Sequence, residues 1–249
     1  MSKYLSNIDR SLQVKIDSQA LYDDDKKIGL GSSASVTVAL LEGIDRYLGK
    51  KKSIREKISS AIDIHNNIQN ANGSGGDITV SYLGGWIEYT KEDLGRALPQ
   101  VKANSFHYLL ISTLEPMNTA SSIHEFNRWK KGAGSTASQL IVDMNEVTQQ
   151  GILATKLSDW DLLSQSIHDF SSCLKRLQSQ SGIQIYSTRH NKISAIANRY
   201  GLSYKPCGAG GDLGFLFSKE PIDREICQEI MPYGKVLELE LMALGAIDQ

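Results

Sequence analysis

The sequence predicts a mixed chain of helices and strands around an apolar core, on three observations. Its 249 residues are 41% hydrophobic and 22% charged, the balance of an ordinary globular chain. Several long runs place apolar residues at helical spacing. Shorter runs alternate or cluster as strands do.

Leu12 to Asp17 alternates apolar and polar residues, which reads as a half-buried strand. Asp23 to Lys27 follows as a solvated loop. After Gly31, Val36, Ala39, Leu40, Ile44 and Leu48 recur at helical spacing, and Gly49 ends the pattern. A second helix is predicted from about Ser53 to Ile68. Asn70 to Asp77 is too rich in Gly and Asn for a regular element. Trp86 to Tyr89 and His107 to Ile111 read as strands. Ser121 to Trp129, Ala137 to Gly151, Trp160 to Gln180 and Arg189 to Tyr200 read as helices. Strand patterns return at Leu213 to Phe217 and Lys235 to Leu241. A boundary is expected near residues 90–104, a polar stretch that includes Pro99.

Composition narrows the function classes. Twenty-one glycines without a repeating triplet exclude collagen. A net charge of −1 advertises no nucleic-acid face and no face for an anionic membrane. Cys173, Cys207 and Cys227 are too dispersed for a disulfide framework or a paired metal knuckle, which suits a reducing compartment. The first nine residues lack a signal-peptide apolar run, and no stretch of about 18 apolar residues exists. A cytoplasmic protein is expected, with a small-molecule substrate and no nucleic-acid or membrane partner.

The segment Gly29-Leu30-Gly31-Ser32-Ser33-Ala34-Ser35 stands directly before a predicted helix. A helix start has unpaired N–H groups and partial positive charge. Glycines admit an anion close to the backbone, and serine hydroxyls add donors or a metal ligand, so the segment suits a polyphosphate. A serine-capped helix after a glycine turn is the plainer alternative. The pattern G-x-x-x-x-G-K-[ST] is absent. Gly29, Gly31 and Ala34 formally meet G-x-G-x-x-[GA]. The match is accidental: charged residues precede it where a buried strand should end, and no ribose-binding acid follows about 20 residues on. The five histidines show no ligand spacing and read as surface or core residues. Arg189 and His190 open a predicted helix and face either a cleft or solvent.

Two further segments follow in order: Gly73-Ser74-Gly75-Gly76-Asp77-Ile78, and Cys207-Gly208-Ala209-Gly210-Gly211-Asp212. Together with the first loop they resemble the ATP loop, the aspartate-bearing segment and the C-terminal glycine loop of the GHMP kinases. Lys27 to Ser33, Lys205 to Asp212 and Ser112 to Ser121 are most similar to the phosphomevalonate kinase branch.

The resemblance implies an ATP- and Mg²⁺-dependent kinase. Gly29, Leu30, Gly31, Ser32, Ser33, Ala34 and Ser35 would bind ATP, and Ser33 would also hold the metal. Asp77 and Lys27 would be catalytic. Ser74, Gly75, Lys205, Gly208, Ala209, Gly210 and Gly211 would meet the substrate. Residue by residue, plainer roles stand beside these: a cap at Asp77, surface charges at Lys27 and Lys205, and a bare turn at Gly208 to Gly211.

The implied architecture is α+β. A truncated ribosomal-protein-S5-like N-terminal domain over residues 1–103 would precede a ferredoxin-like C-terminal domain over 104–249. Truncation is expected because nothing before Leu12 resembles the family's first motif, an apolar strand followed by Lys and Gly-Glu. A sheet cut short leaves an open edge, so self-association or a partner at that edge is expected. No acid lies in His65 to Gln69, where several members carry a second metal ligand. A sugar, heptose or mevalonate kinase, and an inactive remnant that binds nucleotide or a partner, are the other readings.

Overall fold

The computed structural model describes residues 13–23, 26–69, 73–98, 106–115, 119–208, 210–237 and 245–246. The chain is α+β. Three helices gather its N-terminal part: α1 (Ser32–Tyr47), α2 (Ile54–Gln69) and α3 (Gly76–Leu83). Ala34, Val38 and Leu41 fall on one stripe of α1. They share a buried cluster with Ile58, Ala61 and Ile62 of α2 and with Ile78 and Tyr82 of α3. Because Ala34 and Ile78 lie in the first turns of their helices, α1 and α3 start near one another. Lys57 of α2 donates to both carboxylate oxygens of Glu42 on α1, at 2.9 and 2.8 Å. Burial alone would raise the Glu42 pKa, but the hydrogen bonds from Lys57 and Arg46 outweigh it and hold the carboxyl below its ordinary range.

Two small hairpins flank this unit. Strands β1 (Tyr22–Asp23) and β2 (Lys26–Lys27) pair antiparallel before the first glycine loop, as do β3 (Ile87–Glu88) and β4 (Arg96–Ala97) after α3. Glu88 binds Arg96 across the second hairpin and Lys156 from the C-terminal part, both at 2.8 Å.

The C-terminal part is a four-stranded antiparallel sheet wrapped by helices. Its strands are β5 (His107–Ser112), β6 (Ser203–Pro206), β7 (Leu213–Ser218) and β8 (Lys235–Leu237), in the order β6-β7-β5-β8. Side chains alternate across it. Ile111, Tyr204 and Leu216 face a cluster with α7 (Thr188–Arg199) and α8 (Arg224–Ile230). Phe217, with Phe215 and Tyr108, faces Ala154 of α5 (Ser135–Leu157) and Leu163 and Ile167 of α6 (Trp160–Ser181). Helix α4 (Thr119–Ala133) contributes Phe126 and Trp129 to a further cluster with α5 and α6. Trp86 meets Phe106 edge-on at 5.8 Å and so carries the N-terminal part onto this core.

Several sequence expectations need correction. Residues 13–17 form no strand and lie exposed, because the alternating run has no pairing partner among the described residues. The solvated loop at Asp23 to Lys27 is a hairpin whose tip lies outside the described residues. Gly76 and Asp77 already belong to α3, since Gly75 in the left-handed region opens the helix earlier than composition suggests. Helix α1 likewise begins at Ser32, four residues before its first strongly apolar position. The last strand is described only to Leu237, and the rest of the run to Leu241 lies outside the described residues. Strand β6 and helix α8 carry little periodic signal and are legible only in the packed sheet.

Leu216 is fully buried at the middle of the sheet, whereas Val142 on α5 is 47% exposed. Leu216→Ala is expected to cost about 2–5 kcal/mol of unfolding free energy. Val142→Ala should stay within about 0.5 kcal/mol. Urea titrations followed by circular dichroism check both.

Candidate active site

The site grows from three glycine loops. In the first, Gly29 has φ +92° and Gly31 has φ +71°, a region that L side chains rarely adopt. Gly31 is the residue before α1, offers no side-chain cap, and leaves a first turn free of acidic residues. The helix therefore presents amides without intrahelical acceptors and an uncompensated positive end. Ser35 turns its hydroxyl inward to the Gly31 carbonyl at 3.3 Å. Beside this start runs a groove of about 370 Å³, with Ser33, Val36, Leu40, Ile44, Ile64 and Ile68 among its walls.

Ser33 has two partners on α2. Its Oγ lies 3.0 Å from Nε2 of His65, and Nε2 of Gln69 donates to it at 3.0 Å. Gln69 Nε2 also lies 3.0 Å from His65 Nε2. With His65 Nε2 unprotonated, its one lone pair can accept from the Ser33 hydroxyl while the Gln69 amide donates to Ser33 Oγ. Ser33 then keeps one oxygen lone pair for a ligand.

In the second loop, Gly75 has φ +87°, and a Cβ there would stand 2.5 Å from Cδ1 of Ile62. The loop is pinned by Gly73 N–H to Oδ1 of Asn66 at 2.9 Å, and by the Tyr89 hydroxyl, which donates to the Ser74 carbonyl. Asp77 follows in the first turn of α3, exposed, with Oδ1 accepting the Ile78 amide at 2.9 Å. Burial raises the Tyr89 pKa, and the nearby Asp77 and Glu92 charges raise it further.

The third loop links β6 to β7. Gly210 has φ +92° and approaches the chain so closely that a Cβ would lie 2.3 Å from the Ile185 carbonyl oxygen. Thr113, just after β5, donates its amide to the Asp212 carbonyl at 2.9 Å and its hydroxyl to the Gly211 carbonyl. Arg189 donates to the Thr113 carbonyl at 2.8 Å and lies 3.5 Å from Glu115. Lys205 turns its ammonium to the Pro206 carbonyl at 3.0 Å and over the Phe170 ring. Burial pushes the Cys207 thiol up, away from thiolate chemistry.

The first and third loops meet. A Cβ on Gly29 would stand 2.5 Å from Cβ of Asp212. Residues separated by most of the sequence thus line one place. Ala209 and the side chain of Lys27 lie outside the described residues, and the Lys27 backbone belongs to β2. Sequence reading passed over His65 and Gln69, although their spacing of four on a helix was a usable signal. Thr113 lies in the segment Ser112 to Ser121 that carries part of the resemblance, but the sequence assigns it no role.

Beneath the third loop lies a buried polar chain. His190 is 0% exposed, and its Nδ1 meets the Tyr204 hydroxyl at 2.6 Å. The Tyr186 hydroxyl meets Ser171 at 2.5 Å. Burial lowers the His190 pKa from 6.5 to about 4, while the Glu115 charge and the Gly211 backbone oppose it. The folded pKa lies below the unfolded one, so the unfolded chain takes up the proton first. Stability is therefore lost as pH falls from 6.5 towards 4, by on the order of 3 kcal/mol. Urea midpoints measured between pH 7 and pH 4.5 should fall, and His190→Gln should flatten that limb.

Comparison with known proteins adds what the chain is similar to. Residues 2–85 match the family model described as GHMP kinases N terminal domain. The phosphomevalonate kinase of Streptomyces sp. (strain CL190) is 28% identical over 235 residues, covering 84% of this chain. The chain spans 62% of the length of that curated relative. Among solved structures, a Lin0012 protein from Listeria innocua is similar at TM-score 0.76 and 23% identity, covering 89% of this chain and 69% of that one. Streptococcus pneumoniae phosphomevalonate kinase, solved with phosphomevalonate and AMPPNP, is similar at TM-score 0.71 and 16% identity, covering 89% and 71%. At these identities the two structures speak to the fold. Three glycine loops, a match to that family model over residues 2–85 and a fold shared with solved kinases converge on a likeness to the GHMP kinases.

Proposed function

We propose that the chain is an ATP-dependent small-molecule kinase that phosphorylates phosphomevalonate to diphosphomevalonate in the mevalonate route to isoprenoids. The observation that carries this reading is the uncapped start of α1 behind two left-handed glycines. Such a start offers amides to a polyphosphate at no cost in rearrangement. The 28% identity to a phosphomevalonate kinase supports the choice of acceptor.

In this reading Gly29 to Ser35 wrap the phosphates, and Lys27 neutralises part of their charge. Ser74, Gly75, Lys205 and the loop from Gly208 to Gly211 receive the acceptor. Residues 1–103 form the S5-like ATP-binding domain and 104–249 the ferredoxin-like domain, and the protein works in the cytoplasm. No helix of the described residues is long and apolar enough to cross a membrane.

The donors present suit a hard divalent ion, which prefers oxygen. Ser33 keeps an oxygen lone pair when its hydroxyl donates to His65 Nε2, and Asp77 stands exposed on α3. Among the described residues no three His, Cys, Asp or Glu side chains gather into a metal cluster. A bound Mg²⁺ would supply charge neutralisation at the transferred phosphoryl group. Phosphoryl transfer otherwise asks for positioning. The acceptor phosphate is already anionic near neutral pH, so Asp77 serves to place cations more than to remove a proton. His65 and Gln69 orient the Ser33 hydroxyl from behind.

A coupled ADP-release assay with phosphomevalonate, mevalonate and a sugar panel tests the reading. Turnover with phosphomevalonate alone is expected, and turnover with mevalonate or a sugar reassigns the acceptor. Asp77→Ala should lower kcat at least about 100-fold. Its affinity for the metal-free nucleotide, by calorimetry in EDTA, should change less than about threefold. Unchanged turnover removes Asp77 from the mechanism.

A further inference from the structure

The third loop ends in an acid that the proposed mechanism leaves unused. Asp212 seats its side chain against Gly29, where a Cβ would stand 2.5 Å from Asp212 Cβ and 3.2 Å from Oδ2. Any larger residue at 29 would displace the carboxylate. Its backbone is held on both sides. The Asp212 amide donates to the Gly210 carbonyl at 3.1 Å, and its carbonyl accepts the Thr113 amide at 2.9 Å. Thr113 is itself held by Arg189 at 2.8 Å. The acid is therefore fixed in place beside the loop that would cradle phosphate.

A carboxylate and a polyphosphate are like charges, and at such a range each disfavours the other. A divalent ion between them converts the repulsion into shared coordination, since carboxylate and phosphate oxygens are both hard ligands. We propose that Asp212 is a ligand of the divalent ion that enters with the nucleotide. The two glycine loops then close on the ion, and nucleotide binding depends on it. The inference rests on the kinase reading and extends it to a residue that joins the two parts of the fold.

Calorimetric binding of AMPPNP, with excess Mg²⁺ and then with EDTA, tests this without turnover. The chain is expected to bind AMPPNP at least about tenfold more tightly with Mg²⁺. Asp212→Asn keeps the shape and removes the charge. It should cut that ratio to about threefold or less, weakening binding with Mg²⁺ and tightening binding in EDTA. Asp212→Glu restores the charge and should recover most of the ratio, which separates lost coordination from lost folding. An unchanged ratio in Asp212→Asn overturns the proposal while the kinase reading stands. Metal-independent binding by the unaltered chain does the same and assigns the neutralising role to a protein cation. Failure of the unaltered chain to bind AMPPNP under either condition overturns both.

Discussion

Close backbone approach at Gly29 is the constraint on which the site depends. The absent side chain leaves room for Asp212, and that contact joins a loop before the first long helix to one between two strands of the sheet. Any Cβ there would force one loop off the other, and the φ of +92° would penalise it independently. Two separate demands, room and backbone conformation, thus fall on one residue. The same pairing of demands recurs at Gly75 against Ile62 and at Gly210 against Ile185. At Gly75 and Gly210 a glycine lets a loop close onto the residues beneath it, and at Gly29 it lets one loop meet another.

The support beneath these loops is polar where a simpler core would be apolar. His190, Tyr204, Tyr186 and Ser171 are buried and form two hydrogen-bonded pairs under the third loop. Buried polar groups are costly unless paired, and paired ones restrict the geometry more tightly than apolar contacts do. The Nε2 atom of His190 makes no hydrogen bond among the described residues, and its polar neighbour is the Gly211 backbone. Such a floor holds the third loop in one place. Thr113 and Arg189 extend that restraint to the edge of β5.

Around the α1 start, charge is distributed unevenly. The pair behind Ser33, His65 and Gln69, brings no carboxylate to the helix start. The acids come from elsewhere, Asp77 from α3 and Asp212 from the loop before β7. The helix end thus offers dipoles and hydroxyls, which suit an anion, and the acidic side chains stand on other elements. Asp77 and Asp212 sit on rigid backbone, one in a helical first turn and one between two hydrogen-bonded neighbours.

Much of the fold could be read directly. The long helices α5, α6 and α7 and the strands β5 and β7 follow their periodicity, because one buried face imposes a regular apolar spacing. The three glycine loops also announced themselves, since left-handed backbone selects glycine wherever it occurs. The alternating run from Leu12 misled, because alternation states that a segment could pair and not that a partner exists. Strand β6 and helix α8 were silent, as Tyr204 and Ile226 gain their meaning only from the cluster they enter. The sequence by itself thus determined which segments are regular and where the backbone must bend against its usual preference. Only the tertiary structure decided that Gly29 meets Asp212, that His65 faces Ser33 and that Thr113 holds the third loop. Local spacing reports the conformation of a segment, whereas contacts between distant segments are set by the packing of the whole core.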